Sequence, residues 1–209
     1  NYPDKPMNRG KVLTADQVNE NGFKRYFDLD GDGIPYRTLP GTVANGASYF
    51  TRGSGHDESA KYSEDPQDYA TNMSRLRRKI DSSRETLPAP IIEHNKTASI
   101  GFVGFGSTDP AIIEARDRLA VIGVASSYLR VRALPASLTV SDFIASHERV
   151  YVVEMNIEGQ LHKLIQIQSP ELATKVLSLA HCDGLPLTAS WIVSQILEQE
   201  RGPNGKIKE

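Results

Sequence analysis

The densest set of chemically capable side chains in this 209-residue sequence is Arg52-Gly53-Ser54-Gly55-His56-Asp57-Glu58. The run places a guanidinium, an imidazole and two carboxylates on a glycine-rich backbone. A guanidinium pairs well with a carboxylate ligand, and an imidazole beside a carboxylate can move protons. The run therefore indicates either a site that binds a carboxylate substrate or an ordinary surface loop.

A second set begins like a calcium-binding loop. Asp28, Asp30 and Asp32 alternate and are interleaved with glycines, so the backbone can wrap oxygen ligands round a hard cation. The pattern then fails, because Leu39 stands where a bidentate Glu is needed and Pro35 interrupts the loop. The sequence thus indicates either a weak Ca2+ site at these three carboxylates or a Gly/Asp-rich turn.

A third set, Gly106-Ser107-Thr108, lies between a strand and the start of a helix, where backbone N–H groups favour an anion. The glycines at 101, 104 and 106 do not have the dinucleotide spacing, and a tight turn is the alternative interpretation. The remaining histidines are scattered, there is no nucleophile elbow, and Cys182 is the single cysteine. We therefore predict no catalytic residue in this chain.

Four strand–helix pairs occupy residues 96–201, and residues 106–108 lie in the turn of the first pair. Apolar, strand-like runs occupy 98–105, 126–131, 150–154 and 175–180, and each is followed by a segment with helical periodicity. This alternation predicts an α/β fold with a parallel sheet and helices on both faces. Residues 202–209 are polar and are expected to form a frayed tail.

Residues 1–95 differ from the rest in composition. They contain 12 Ile, Leu and Val residues against 33 in residues 96–209, which is too few to fill a core. We predict a long irregular arm with one helix at about 66–86, which begins at Asp65-Pro66. Its apolar side chains recur at helical spacing, and its basic run Arg75–Lys79 is expected to face solvent.

Charge and cysteine content exclude several classes of protein. Lys plus Arg is 24 and Asp plus Glu is 26, so the formal net charge of −2 gives no basic excess for binding nucleic acid or anionic membranes. One cysteine permits neither an internal disulfide nor a cysteine metal cage. We expect a cytoplasmic protein with no transmembrane segment.

The sequence also resembles the alpha subunit of 2-oxoacid:ferredoxin oxidoreductases, the 2-oxoglutarate type most closely. The motifs that carry the resemblance occur in order along nearly the whole chain: Phe23-Lys24-Arg25-Tyr26, Gly33-Ile34-Pro35-Tyr36-Arg37, Leu39-Pro40-Gly41, Gly53-Ser54-Gly55-His56-Asp57-Glu58, Ser63-Glu64-Asp65-Pro66, Gly106-Ser107-Thr108, Leu129-Arg130-Val131-Arg132-Ala133-Leu134-Pro135, Gly159-Gln160-Leu161 and Asp183-Gly184-Leu185-Pro186. The likeness is to the C-terminal part of that subunit. It implies that residues 96–201 form a transketolase C-terminal-like domain and that residues 1–95 join it to a pyrimidine-binding domain outside this sequence.

The resemblance implies a parent reaction in which 2-oxoglutarate, CoA and oxidised ferredoxin give succinyl-CoA, carbon dioxide and reduced ferredoxin. The complex would use thiamine diphosphate, Mg2+, a 4Fe-4S cluster and CoA, with the diphosphate and cluster sites in the beta subunit. This fragment would bind none of them alone and would be inactive in isolation. Its implied partners are the beta subunit, the missing N-terminal part of alpha and, through the complex, ferredoxin, in an oligomeric assembly.

Within that implied complex, this chain would assemble the subunits and shape the active site. Arg52, His56 and Asp57 are the expected substrate-facing residues. Arg52 would pair with the distal carboxylate of 2-oxoglutarate, while His56 or Asp57 would adjust protonation nearby.

Two other interpretations stay open. One is a stand-alone nucleotide- or phosphate-binding α/β domain, with its ligand near residues 106–108 and 154–159. The other is a calcium-organised interaction module centred on residues 28–32. Turnover or tight nucleotide binding by the isolated chain would favour the first, and a Ca2+-dependent rise in melting temperature would favour the second.

Overall fold

The chain forms two compact units in a computed structural model, Asn1–Thr86 (the N-terminal unit) and Leu87–Glu209 (the C-terminal unit). The structure describes residue 4 and residues 6–51, 53–84 and 86–200. Arg52 and the predicted frayed tail, 202–209, lie outside the described residues.

The N-terminal unit is mostly turns and irregular chain with two helices, α1 (Ala15–Asn21) and α2 (Pro66–Ser83). Helix α2 begins where the sequence predicted, because Asp65 accepts a hydrogen bond from the Gln67 amide at 2.7 Å. Helix α1 was not predicted. Its seven residues bury only Val18, so it has little apolar periodicity, and its one clear signal is the capping box of Thr14 and Gln17.

Burial explains why the N-terminal unit is poor in aliphatic residues. Among its described residues, only Val18, Ala47 and Ala60 are buried apolar side chains. The apolar side of α2 stays exposed along its length, at Tyr69, Met73, Leu76 and Ile80. Hydrogen bonds and ion pairs, rather than a packed core, therefore account for much of what holds this unit together.

The C-terminal unit contains a five-stranded mixed sheet in the order β1-β3-β2-β4-β5. Its strands are β1 (Ile91–Glu93), β2 (Ile100–Phe105), β3 (Ser126–Val131), β4 (Arg149–Glu154) and β5 (Val176–Ala180). Strands β2 to β5 are mutually parallel, and β1 runs antiparallel to β3. The predicted α/β fold with a parallel sheet is confirmed.

Strand β1 lies before the composition break that set the predicted boundary at residue 96. Ile92 pairs with Leu129 of β3 and packs on the core of the C-terminal unit. The structure accordingly divides the chain after Thr86. A three-residue strand has no periodicity that a sequence pattern can detect.

Helices cover both faces of the sheet: α3 (Asp109–Val121), α4 (Leu138–Ala145), α5 (Gln160–Gln168) and α6 (Ala189–Glu200). Successive side chains of a strand point to opposite faces, so Phe102 packs with α3 and α6 whereas Val103 packs with α4 and α5. Helix α3 begins at Asp109, directly after a short 3-10 turn, Gly106–Thr108. In the described part of the chain, no helix is long and apolar enough to span a bilayer.

Candidate functional site

The loop that follows Arg52 borders an open cavity of about 750 Å3 in the N-terminal unit. Residues 53–56 and 62–66 form one part of its wall, and α2 forms the other. His56, Asn72 and Arg75 line it with polar groups, while Tyr69 and Met73 add apolar surface.

Backbone pairing gives this loop its shape. His56 and Tyr62 form an antiparallel bridge, and the amide of Ser63 donates to the carbonyl of Gly55 at 3.2 Å. A Cβ on Gly55 would overlap the carbonyl oxygen of Ser63, so glycine permits this close approach. The carboxylate of Asp57 accepts hydrogen bonds from two amides of its own turn, at 2.8 and 2.9 Å. Asp57 therefore stabilises the loop and does not line the cavity.

The imidazole of His56 is held by its surroundings. It stacks on the ring of Tyr26 with a centroid distance of 3.9 Å and an angle of 21° between the ring planes. Its Nδ1 lies 3.0 Å from the carbonyl oxygen of Asp57 and 3.4 Å from the side-chain nitrogen of Asn72, so a proton on Nδ1 would donate to the carbonyl, the nearer of the two. In that tautomer of the neutral ring, Nε2 is the acceptor and is the nitrogen that can take up a proton.

Two guanidinium groups flank Tyr26. The guanidinium carbon of Arg25 lies 5.1 Å from the ring centroid and that of Arg75 lies 5.6 Å from it, within cation–π range. Arg75 is only 6% exposed. Burial lowers the pKa of the Arg75 guanidinium, and the nearby charge of Arg25 acts in the same direction. The cavity wall therefore includes one buried positive charge, that of Arg75.

Arg75, Asn72 and Tyr26 are site residues that the sequence interpretation missed. Arg75 was assigned to the solvent-facing side of α2 together with its basic neighbours. Local spacing does not distinguish it from Arg77, which is largely exposed. Its burial depends on contacts with Tyr26 and Gly33, which lie far away in the sequence.

The calcium-like loop is occupied by side-chain cations. The Lys11 ammonium lies 2.5 Å from a carboxylate oxygen of Asp30 and 2.7 Å from one of Asp32, and its hydrogen bond helps to lower the pKa of Asp32. Asp28 pairs with Arg78 at 2.9 Å and accepts hydrogen bonds from the amide of Gly33. Lysine and arginine thus supply the positive charge that the calcium hypothesis assigned to a metal ion.

The predicted anion turn, Gly106-Ser107-Thr108, also has internal partners. The Thr108 hydroxyl donates to the carbonyl of Phe105 and accepts from its amide. Asp109 brings a carboxylate to the first turn of α3, where it accepts from the Tyr128 hydroxyl at 2.8 Å. The same carboxylate pairs with Arg130 at 3.1 Å, so the polar groups of Thr108 and Asp109 already have partners within the chain.

A similar arrangement occurs where β4 ends, the other edge position proposed for a nucleotide. Glu154 is fully buried, and its carboxylate accepts from the amides of Leu161 and His162 at 2.8 and 3.0 Å and from the Asn156 side chain. The N-terminus of α5 is therefore capped by a carboxylate from within the chain. Neither strand end favours the stand-alone nucleotide binder.

Two known proteins that resemble this chain are subunits of the same kind of enzyme. No protein-family model matches the chain. The chain is 32% identical over 167 residues to subunit alpha of 2-oxoacid:ferredoxin oxidoreductase 2 from Aeropyrum pernix, a match that covers 77% of this chain and 25% of that subunit. It is 27% identical over 210 residues to subunit alpha of 2-oxoacid:ferredoxin oxidoreductase 1 from the same organism, covering 96% of this chain and 31% of that subunit.

A solved structure agrees with these relatives. A 2-oxoglutarate:ferredoxin oxidoreductase from Magnetococcus marinus matches 85% of this chain and 30% of its own, with a TM-score of 0.73 and 26% identity. The chain is related to the alpha subunits of 2-oxoacid:ferredoxin oxidoreductases. The resemblance to the C-terminal part of this alpha subunit, seen in the sequence motifs, is confirmed. The matches span about a quarter to a third of the related alpha subunits.

The described residues offer no ligand set for a metal ion or a 4Fe-4S cluster. Among the described residues, no group of three or more His, Cys, Asp or Glu side chains could hold a metal ion. Cys182 is free, exposed and the single cysteine of the sequence, whereas a 4Fe-4S cluster takes four thiolates.

Proposed function

We propose that this chain is the C-terminal part of the alpha subunit of a thiamine-diphosphate-dependent 2-oxoacid:ferredoxin oxidoreductase. The parent reaction would convert 2-oxoglutarate and CoA, with oxidised ferredoxin as electron acceptor, to succinyl-CoA, carbon dioxide and reduced ferredoxin. The observation that carries the proposal is the match of most of the chain to an enzyme of that name whose structure holds 2-oxoglutarate, CoA and succinyl-CoA.

The role we propose for the chain is assembly and shaping of the active site. The missing N-terminal part of alpha and the beta subunit would be its partners, and ferredoxin would meet the assembled complex in the cytoplasm. The exposed apolar side of α2 supports this role, because it offers surface for a partner chain.

Within this proposal the loop 52–58 faces the 2-oxoacid. Arg52 would pair with a substrate carboxylate, and His56 would accept a proton at Nε2, since a proton on its Nδ1 would donate to the Asp57 carbonyl. Asp57 would contribute through the shape of the loop, because its carboxylate is engaged by backbone amides.

Reconstitution tests the proposal. The chain is mixed with the beta subunit and the missing alpha portion, and reduction of a viologen dye is followed with 2-oxoglutarate and CoA. We expect activity only in the complete mixture. Arg52→Ala should lower 2-oxoglutarate turnover at least tenfold, whereas Arg77→Ala, on an exposed position of α2, should leave it unchanged. A chain that forms no complex and binds a nucleotide alone would contradict the proposal and favour the stand-alone binder.

A further inference from the structure

Arg75 is a buried cation without a carboxylate partner. Arg75 is 6% exposed, yet no described carboxylate lies within 4.0 Å of its guanidinium. Buried arginines in proteins are usually paired with a carboxylate. Its Nη1 and Nη2 reach the carbonyl of Gly33 and the Oδ1 of Asn72 only at 3.4 Å each. Its Nε has no hydrogen-bond partner among the described residues.

Two partly buried arginines of the chain show what is unusual here. Arg116 and Arg149 also bury one nitrogen without a partner, but Arg116 pairs with Glu93 at 2.6 Å and Arg149 pairs with Glu200 at 2.9 Å. Asp28 acts on Arg75 from a longer distance, and its carboxylate is already paired with Arg78. Burial without a paired carboxylate is thus a feature of Arg75, and its half-buried neighbour also lacks a described carboxylate partner.

The neighbour is Arg25, whose guanidinium also lies beside the ring of Tyr26. Its Nη1 donates to the carbonyl of Tyr36 at 3.4 Å, its Nε is buried without a partner, and no described carboxylate pairs with it. Two like charges beside one ring repel each other, and Arg25 is one of the causes of the lowered pKa of Arg75. A bound anion would relieve both the repulsion and the missing hydrogen bonds.

The cavity that Arg75 lines has room and chemistry for such an anion. Glu64 and Asp65 also line it and bring negative charge, but they lie at the start of α2; Asp65 precedes Arg75 by ten residues, about 15 Å along the helix. Met73 and Leu76 provide an apolar wall. The lining therefore suits a ligand with a carboxylate at one end and carbon chain behind it.

We propose that this cavity binds a carboxylate, whose oxygens accept hydrogen bonds from the Arg75 guanidinium while Arg25 adds a second positive charge across Tyr26. The identification of that carboxylate as a 2-oxoacid rests on the proposed function. The binding site itself rests on the buried, unpaired arginine and the cavity it lines. Arg75 is thus assigned as a recognition residue, distinct from the loop residues proposed above.

Calorimetric titration of the full 209-residue chain tests this site. The probes are 2-oxoglutarate, succinate and inorganic phosphate. We expect both carboxylates to bind and phosphate to bind more weakly, because the planar fork of arginine matches a carboxylate bidentately and the apolar wall matches the carbon chain. Arg75→Gln should weaken carboxylate binding at least tenfold. Arg77→Gln removes the same charge from an exposed position of the same helix and should change the affinity less than twofold.

A second pair of variants covers the case in which Arg75→Gln fails to fold. Met73 lines the cavity and is 41% exposed, so its substitution does not disturb a core. Met73→Glu places a negative charge in the cavity and should weaken carboxylate binding at least fivefold, whereas the isosteric Met73→Gln should not. Absence of carboxylate binding, a preference for phosphate, or equal effects of both members of either pair would overturn the proposal.

These outcomes are separable from failure of the proposed function. Carboxylate binding by the chain together with an inactive reconstituted mixture would keep the site and remove the oxidoreductase role. If the mixture is active, its rate is unchanged by Arg75→Gln and no carboxylate binds to the chain, the oxidoreductase role is kept and the site is removed.

Discussion

At the scale of single residues, Gly33 explains why the aspartate-rich loop has its sequence. Its φ of +81° is a conformation that favours glycine, and a Cβ there would overlap the backbone of α2 at Lys79 and Arg75. The loop is further tied to this helix by Arg78–Asp28 and by the Ser82 hydroxyl, which donates to the Asp32 carbonyl at 2.7 Å. Gly33, the Asp28 carboxylate and the Asp32 carbonyl therefore serve the docking of this loop on α2.

Replacement of Gly33 tests this interpretation. Gly33→Ala should lower the free energy of unfolding by about 3 kcal/mol or more, since backbone overlap adds to the cost of a positive φ. Gly31→Ala is the matched control, because Gly31 has φ +77° but open space around it, and should cost about 1 kcal/mol. Urea unfolding measures both. Equal losses would show that the approach to α2 contributes nothing.

Residue types alone could not decide what this loop binds. The sequence correctly singled out Asp28, Asp30 and Asp32 as a concentration of carboxylates. Their partners, Lys11 and Arg78, lie in other parts of the chain, and only the fold brings them to the loop. The same limit applied to Arg75, whose importance comes from what surrounds it rather than from its position in a basic run.

At the scale of elements, the junction of β4 and α5 shows a carboxylate used for structure. Glu154 ends the strand, and Gly159, with φ +64°, turns the chain into the helix. The Asn156 side chain accepts from the amides of Glu158, Gly159 and Gln160, so the turn satisfies its own donors. A buried negative charge at the start of α5 interacts favourably with the helix dipole.

Neutralisation of Glu154 should therefore destabilise the C-terminal unit. Glu154→Gln replaces one acceptor oxygen by a donor that faces amide N–H groups, and we expect a loss of about 2 kcal/mol in the free energy of unfolding. Glu158→Gln, at an exposed position of the same turn, should change it by less than about 0.5 kcal/mol. Chemical denaturation followed by circular dichroism compares them. A loss of unfolding free energy confined to Glu158→Gln would contradict the structural role assigned to Glu154.

The regular elements were predictable because each carries its own local signal. The four parallel strands and their helices show apolar runs and helical spacing within the segment that forms them. Helix α1 and strand β1 escaped prediction because they are seven and three residues long. Strand β1 owes its conformation to pairing with β3, a contact between distant parts of the chain.

At the scale of the whole molecule, the two units differ in how they are stabilised. Apart from Val18, Ala47 and Ala60, every buried apolar residue of the described chain belongs to the C-terminal unit. That unit has a packed core on each face of its sheet. The composition difference noted in the sequence thus reflects a real difference in burial, although it could not locate the boundary to the residue.

A pair of truncated chains tests that boundary. A chain of residues 87–209 should unfold in one cooperative thermal transition and keep the near-ultraviolet signal of Trp191, which packs against the core. A chain of residues 96–209 should melt at a lower temperature, because it lacks the β1–β3 ladder and the Arg116–Glu93 ion pair. Equal melting temperatures would show that the unit begins at the composition break.

The place of β2 at the centre of the sheet also has a consequence for how the chain is made. On a ribosome, β2 emerges first among the parallel strands, and both β3 and β4 pair with it. Strand β5 then needs only β4, which precedes it. Each later parallel strand therefore has a pairing partner that is already synthesised. The sheet can grow outward from β2 before the end of the chain is made.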